Sequence, residues 1–282
     1  MVNWPQSLVI ELAERRCTIV MGAGASAGSI SQDGNRHPPT WRQLLLDMVD
    51  LVPAEHRDYA RELIDKEQYL DAAQVIFDNS NSADRTRFFR DTLDAPRFQA
   101  SAIHKTIYNL DPKIVITTNY DQIYEDYCRQ GQGAQGYNVS RYYDGHVLND
   151  IRSDVRCIIK AHGCMSDPTR VVMTRSSYFE ARRNYQSFYA VLDALFLTNT
   201  LLFVGAGLSD PDIQLILENA NLSAPSDNNH YALVPEGRHR SIVSAIKNTS
   251  NIVLLEYEDG HHEQAEEALE HLRERVESHR AL

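Results

Sequence analysis

Cysteine is scarce in this 282-residue chain: only Cys17, Cys128, Cys157 and Cys164 occur, and no two form a Cys-x-x-Cys pair. That spacing excludes an ordinary zinc ribbon and gives no basis for a disulfide framework. Cys17 and Cys157 sit within apolar runs and read as small buried hydrophobes, whereas Cys164 lies beside a polar motif. Also missing is any apolar run of the roughly 18 residues a membrane span needs, and mean hydropathy is -0.42. Met1 to Arg16 has neither the basic start nor the apolar centre of a secretory leader, so the expected location is cytoplasmic. Positive charge is in deficit, with 28 Lys and Arg against 39 Asp and Glu, for a net charge of -11. Such a surface disfavours nonspecific attraction to nucleic acid or anionic lipid, so neither is expected as a partner. Internal repeats and low-complexity tracts are absent too.

What is present is ordinary globular material, 43% hydrophobic and 24% charged, in a chain long enough to bury a full-sized core. Short apolar, β-branched runs fall at Cys17 to Met21, Lys113 to Thr117, Val155 to Lys160, Arg170 to Met173, Leu201 to Val204, Tyr231 to Val234 and Ile252 to Tyr257. Most are continuously apolar, as in strands covered on both faces. Amphipathic stretches separate them: Ser7 to Arg16, Trp41 to Val52, Gln68 to Phe77, Tyr178 to Leu197 and Glu263 to His279. Strands alternating with helices predict an α/β, Rossmann-like fold with a largely parallel sheet and helices on both faces. Residues from about 41 to 109 hold helical patterns and no strand, which predicts a helical sub-lobe inserted into a single domain spanning 1–282. Gly131 to Gly136 reads as a loop, followed by the Tyr-rich stretch Tyr137 to Tyr143.

The polar motifs fall at predicted strand ends. The first strand runs into Gly22-Ala23-Gly24-Ala25-Ser26-Ala27-Gly28, a turn that lets backbone approach a ligand and offers helix N–H groups to an anion such as a pyrophosphate. It departs from the dehydrogenase fingerprint: the third glycine comes one residue late, and no acidic residue ends a second strand some 20 residues on. The next strand ends in Thr117-Thr118-Asn119-Tyr120-Asp121, where polar side chains would face the ligand crevice of an open sheet, or where Asn119 or Thr118 would cap the following helix. Lys160-Ala161-His162-Gly163 puts a histidine at a third strand end, placed like a catalytic group. Gly205-Ala206-Gly207-Leu208-Ser209-Asp210-Pro211-Asp212 closes a later strand, with Ser209 or Asp210 as helix cap and Pro211 in the first turn.

Taken in order, these motifs resemble the sirtuin superfamily, and most of all its bacterial branch of sirtuin-like NAD-hydrolase domains from anti-phage defence. Pro39-Thr40-Trp41 and Ser209-Asp210-Pro211-Asp212 are similar to that branch as well, and the likeness spans roughly residues 10 to 260. The resemblance implies an NAD site without a metal. In it, Gly22, Ala23, Gly24 and Ser26 line the diphosphate, and Asn119 and Asp121, with Thr118 beside them, hold the nicotinamide ribose region. His162 is the implied base, and Gly205, Ser209 and Asp212 border the adenosine side. Protein-deacylating sirtuins carry a zinc module with paired Cys-x-x-Cys motifs, absent here, and their Thr-Gln-Asn reads Thr117-Thr118-Asn119. Both departures weaken the deacylase reading and favour NAD cleavage, with Asn119 and His162 catalytic; the alternatives are a deacylase or ADP-ribosyltransferase, or a non-catalytic module that binds NAD or ADP-ribose. An unrestrained NADase would drain its cell, so control by a partner protein or by self-assembly is expected.

Overall fold

A computed structural model describes residues 2–130 and 136–281. Seven strands, β1 (Cys17–Met21), β2 (Ile114–Thr117), β3 (Tyr137–Arg141), β4 (Arg156–Lys160), β5 (Thr200–Val204), β6 (His230–Pro235) and β7 (Ile252–Tyr257), form one sheet in the order β3-β4-β2-β1-β5-β6-β7. Every pairing is parallel.

The continuous apolar runs follow from burial on both faces. Along β1, Cys17, Ile19 and Met21 point to one side and Val20 to the other, the period of two that the pleat imposes. The first side is covered by helices Gln6–Ala13, Ala102–Leu110, Ile123–Gln130 and Glu263–Arg280, through Leu8, Leu12, Ile107, Leu110, Leu269 and Leu272. Arg175–Asn184, Gln186–Thr198 and Pro211–Ser223 cover the second, through Tyr178, Phe188, Leu192, Phe196, Ile213 and Ile216. Between β1 and β2 the named elements are helical, and Trp41–Met48, Ala54–Asp65 and Tyr69–Asp78 pack their own apolar cluster around Leu45, Met48, Ile64 and Ile76.

Two sequence expectations need correction. Arg170 to Met173 is not a strand. Val171 and Met173 are drawn into the helical cluster while Val172 enters the sheet's second core, so the run is apolar because it bridges two cores. Conversely, Tyr137–Arg141, read only as a Tyr-rich stretch, is the edge strand β3; it is only part-buried and carries Asn138, Ser140 and Arg141, which hides it from a hydrophobicity reading. The loop expected at Gly131 to Gly136 lies, except for Gly136, outside the described residues. Tyr178 to Leu197 is two helices with a break at Tyr185.

In this strand order the chain leaves β1 toward β2 on one side and leaves β5 toward β6 on the other. Open parallel sheets bind ligands outside the carboxyl ends of strands at such a reversal. The four polar motifs follow β4, β2, β1 and β5, which are consecutive neighbours in the sheet.

Candidate active site

The floor is made by two glycine loops locked together. The N–H of Gly22 donates to the Val204 carbonyl (3.1 Å) and that of Gly24 to the Gly205 carbonyl (2.8 Å). A Cβ on Gly22 would stand 2.4 Å from Ala206 Cα, and one on Gly205, at φ +59°, would stand 2.2 Å from the Ala25 nitrogen. The glycines therefore serve first to bring β1 and β5 loop backbones together. The helix after β1 is a single turn, Ala23–Ser26.

Above this floor lies a buried polar network. The Asn119 carboxamide nitrogen donates to the Gly22 carbonyl (3.1 Å) and to Ser26 Oγ (3.2 Å). Because a carbonyl can only accept, Gly22 fixes which way the amide faces. Ser26 Oγ donates to Asp121 Oδ2 (3.1 Å) and lies 3.4 Å from His104 Nε2. Asp121 Oδ1 accepts the Ile123 N–H (3.1 Å), so Asp121, and not Asn119 or Thr118, caps the helix Ile123–Gln130. Ser101 and His104 form a capping box on helix Ala102–Leu110, and Ser101 Oγ also donates to the Ala25 carbonyl (2.7 Å). Burial pulls the His104 imidazole down to about 4, against the opposing pull of Glu125, so it is neutral at pH 7.

The turn bearing Asn119 and Asp121 rests on a charge pair that water does not reach. Lys160, last residue of β4, has a fully buried side chain that donates to Glu125 Oε1 at 2.5 Å and to the Asp121 carbonyl. Burial pulls the ammonium's pKa down, but the Glu125 carboxylate, joined by Cys164 and Asp121, more than offsets it and holds the group above its ordinary value.

Three residues beyond Lys160, Gly163 turns at φ +81°, where a Cβ would meet the Arg170 carbonyl at 2.5 Å. That turn presents His162, which is 3% exposed and packs edge-to-face on Tyr178 (centroids 5.1 Å apart). Its Nε2 is buried without a hydrogen-bond partner among the described residues, 3.5 Å from Asp210 Oδ2. Asp210 Oδ1 caps helix Pro211–Ser223 by accepting the N–H groups of Asp212 (3.0 Å) and Ile213 (3.1 Å). Its Oδ2 accepts the Tyr178 hydroxyl at 2.9 Å. Asp212, buried, takes the Tyr189 hydroxyl (2.6 Å) and pairs with Arg182 (3.0 Å); burial raises its carboxyl pKa.

These groups surround a cleft with about 950 Å³ of open space, solvent at its mouth included. Gly22, Ala23, Ser26, Thr118, Asn119, Asp121, His162, Gly205 and Ser209 all line it, so nine of the eleven residues singled out from sequence meet there. Gly24 lies behind the Gly205 loop, and Asp212 faces Tyr189 and Arg182; neither lines the cleft. Cys164 is fully buried away from it. The sequence reading missed the apolar wall of Trp41, Leu44 and Leu93 and the supports His104, Glu125 and Lys160. The only advance signal for His104 was its place three residues after Ser101. An apolar wall facing a few convergent polar groups is what a ligand with a flat ring and a hydroxylated sugar requires.

The family of SIR2-like domains matches residues 113–259, just over half of the chain. NAD(+) hydrolase ThsA of Bacillus cereus (strain MSX-D12) is 23% identical over 237 residues, covering 82% of this chain and 45% of the relative. Defense-associated sirtuin 2 of Bacillus subtilis is 24% identical over 209 residues, 73% of this chain and 19% of the relative. The ThsA NAD(+) hydrolase of Cytobacillus dafuensis is 26% identical over 222 residues, 78% and 41%. The chain thus spans less than half the length of these curated relatives.

Proposed function

This chain belongs to the SIR2-like domain family, and from that premise we propose that it cleaves NAD, releasing nicotinamide and ADP-ribose, as a regulated NAD-depleting effector of bacterial anti-phage defence. The observation that carries the reading is the placement of His162, a buried imidazole just past the carboxyl end of β4 that lines the cleft beside Asn119 and Asp121. Two relatives bear the name NAD(+) hydrolase and a third is called defence-associated, which supports substrate and setting alike.

NAD brings a cationic leaving group, and rupture of its glycosidic bond builds positive charge on the ribose, so the protein's task is placement and electrostatics. Asn119 does the placing. With its amide nitrogen committed to Gly22 and Ser26, its carbonyl oxygen is left to accept from a ribose hydroxyl or from the attacking water. Asp121 lines the same part of the cleft with a carboxylate whose orientation Ser26 and the Ile123 N–H fix. A negative charge held there stabilises a developing cation without having to reorganise. His162 takes the proton of the water or of the ribose hydroxyl. Trp41, Leu44 and Leu93 shield the flat ring from solvent.

The test is nicotinamide release by the purified protein beside His162→Ala and Asn119→Ala. Each substitution is expected to lower the rate about 10²–10⁴-fold with an unchanged unfolding temperature. Wild-type turnover by a folded His162→Ala protein overturns the assignment. Control by a partner or by self-assembly predicts weak release from the isolated monomer; full activity with nothing added contradicts that part.

A further inference from the structure

Resting on the reading of His162 as the base, we propose that Asp210 is its positioning residue. The carboxylate receives Nε2–H, fixes the tautomer, and leaves Nδ1 to take the proton in the cleft.

Asp210 is held as such a residue must be. Oδ1 is occupied by two backbone N–H groups at 3.0 and 3.1 Å, and Oδ2 by the Tyr178 hydroxyl at 2.9 Å. Those three bonds leave the carboxylate no freedom to swing. A second lone pair on Oδ2 remains for the imidazole, whose Nε2 stands 3.5 Å away. The same tyrosine that anchors Oδ2 packs edge-on against the imidazole ring, so one side chain aligns both partners. A hydrogen bond needs a closer approach by about half an ångström, and such catalytic contacts commonly tighten only when substrate fills the site. Helix capping accounts for Oδ1 but not for Oδ2 or for the Tyr178 contact.

The titratable groups around His162 separate cleanly. Tyr178, from the helix Arg175–Asn184, and Tyr120, from the turn after β2, are held well above the ordinary phenol range by burial, so both stay neutral. Asp121 borders the cleft but is engaged with Ser26 and Ile123. Asp212, on the first turn of helix Pro211–Ser223, is occupied by Tyr189 and Arg182. Asp210 is the carboxylate with an acceptor aimed at the ring.

The experiment is an NMR titration of His162, reading tautomer from the ring nitrogen shifts, in wild type, Asp210→Asn and Tyr178→Phe. Asparagine caps a helix as well as aspartate, so Asp210→Asn removes the charge without removing the cap. Wild type is expected to show the Nε2–H tautomer, with its titration midpoint about one pH unit above that of Asp210→Asn. Tyr178→Phe should fall between them. In turnover, Asp210→Asn should lower kcat with KM held, by less than the about 10²–10⁴-fold of His162→Ala, and move the acidic limb of the pH profile down. An identical midpoint and tautomer in wild type and Asp210→Asn, or an Nδ1–H tautomer in wild type, overturns the proposal. Because the titration needs no NAD, that failure leaves NAD cleavage standing. Absent nicotinamide release beside an Asp210-dependent titration overturns the cleavage reading alone.

Discussion

Glu125→Gln isolates the cost of a single buried charge beneath the cleft. The Lys160 and Glu125 side chains are 0% and 1% exposed and meet at 2.5 Å. Glutamine keeps the shape and an acceptor oxygen but leaves the ammonium with neutral partners only, that oxygen and the Asp121 carbonyl. Removing one member of a buried pair costs about 3–5 kcal/mol. At about 2–4 °C per kcal/mol for a chain of this size, the unfolding temperature should drop by about 6–20 °C. The pH dependence should also shift. In wild type the Lys160 pKa is raised, so its stabilisation is complete below the unfolded-chain value near 10.5 and is lost only as pH rises through the folded value. Without the carboxylate, burial meets only the pull of Cys164 and Asp121, so that pKa falls and Glu125→Gln should regain stability relative to wild type as pH rises toward 10. The double variant Lys160→Met/Glu125→Leu, with neither charge, should recover much of the loss. Thermal and urea unfolding of wild type and the two variants at several pH values measure all of this. A Glu125→Gln protein that unfolds at the wild-type midpoint, with the wild-type pH slope, refutes the reasoning.

Neutral His104 gives a second pH signature. Its folded pKa of about 4 lies below the ordinary 6.5, so its contribution is complete above about pH 6.5 and is lost as pH falls toward 4, about 3 kcal/mol in all; His104→Asn should flatten the urea-midpoint slope across that window. Gly205→Ala places a methyl 2.2 Å from the Ala25 nitrogen at φ +59° and should cost at least about 3 kcal/mol or abolish folding, whereas Gly34→Ala, at φ +78° with nothing within 4 Å, should cost only about 1 kcal/mol; similar calorimetric losses for both would show that the interlocked loops do not matter.

How much was legible in the sequence depends on whether a residue's neighbours in space are also its neighbours in the chain. The strands reveal themselves because burial on both faces leaves them almost nothing but Val, Ile, Leu and Phe, as in Thr200–Val204. Polar residues at their carboxyl ends then mark the cleft, and His162 and Asn119 are found that way. β3 escapes because an edge strand does not have to be apolar, and Arg170–Met173 misleads because two separate cores require the same apolar residues. His104 and Glu125 were invisible for another reason. Each looks like an ordinary helix residue until Ser26, 78 residues away from His104, and Lys160, 35 away from Glu125, are brought against them. The cap after β2 was misplaced by two or three residues, since Asn119, Thr118 and Asp121 are all competent caps and Asn119 is engaged with Gly22 while Asp121 takes the Ile123 N–H.

The interlocked loops also set an order of assembly. Gly24 gives its N–H to the Gly205 carbonyl, and Gly205 has room only because Gly24 and Ala25 carry no bulk there. On a ribosome, the Gly22–Ser26 turn is finished long before Gly205 exists, and it waits through the synthesis of four of the seven strands, β2 to β5, for the backbone it must touch. His162 emerges earlier than Asp210 by 48 residues. A growing chain therefore carries every early motif without the floor that joins them, and the cleft comes into being only once its last contributing strand has docked beside its first.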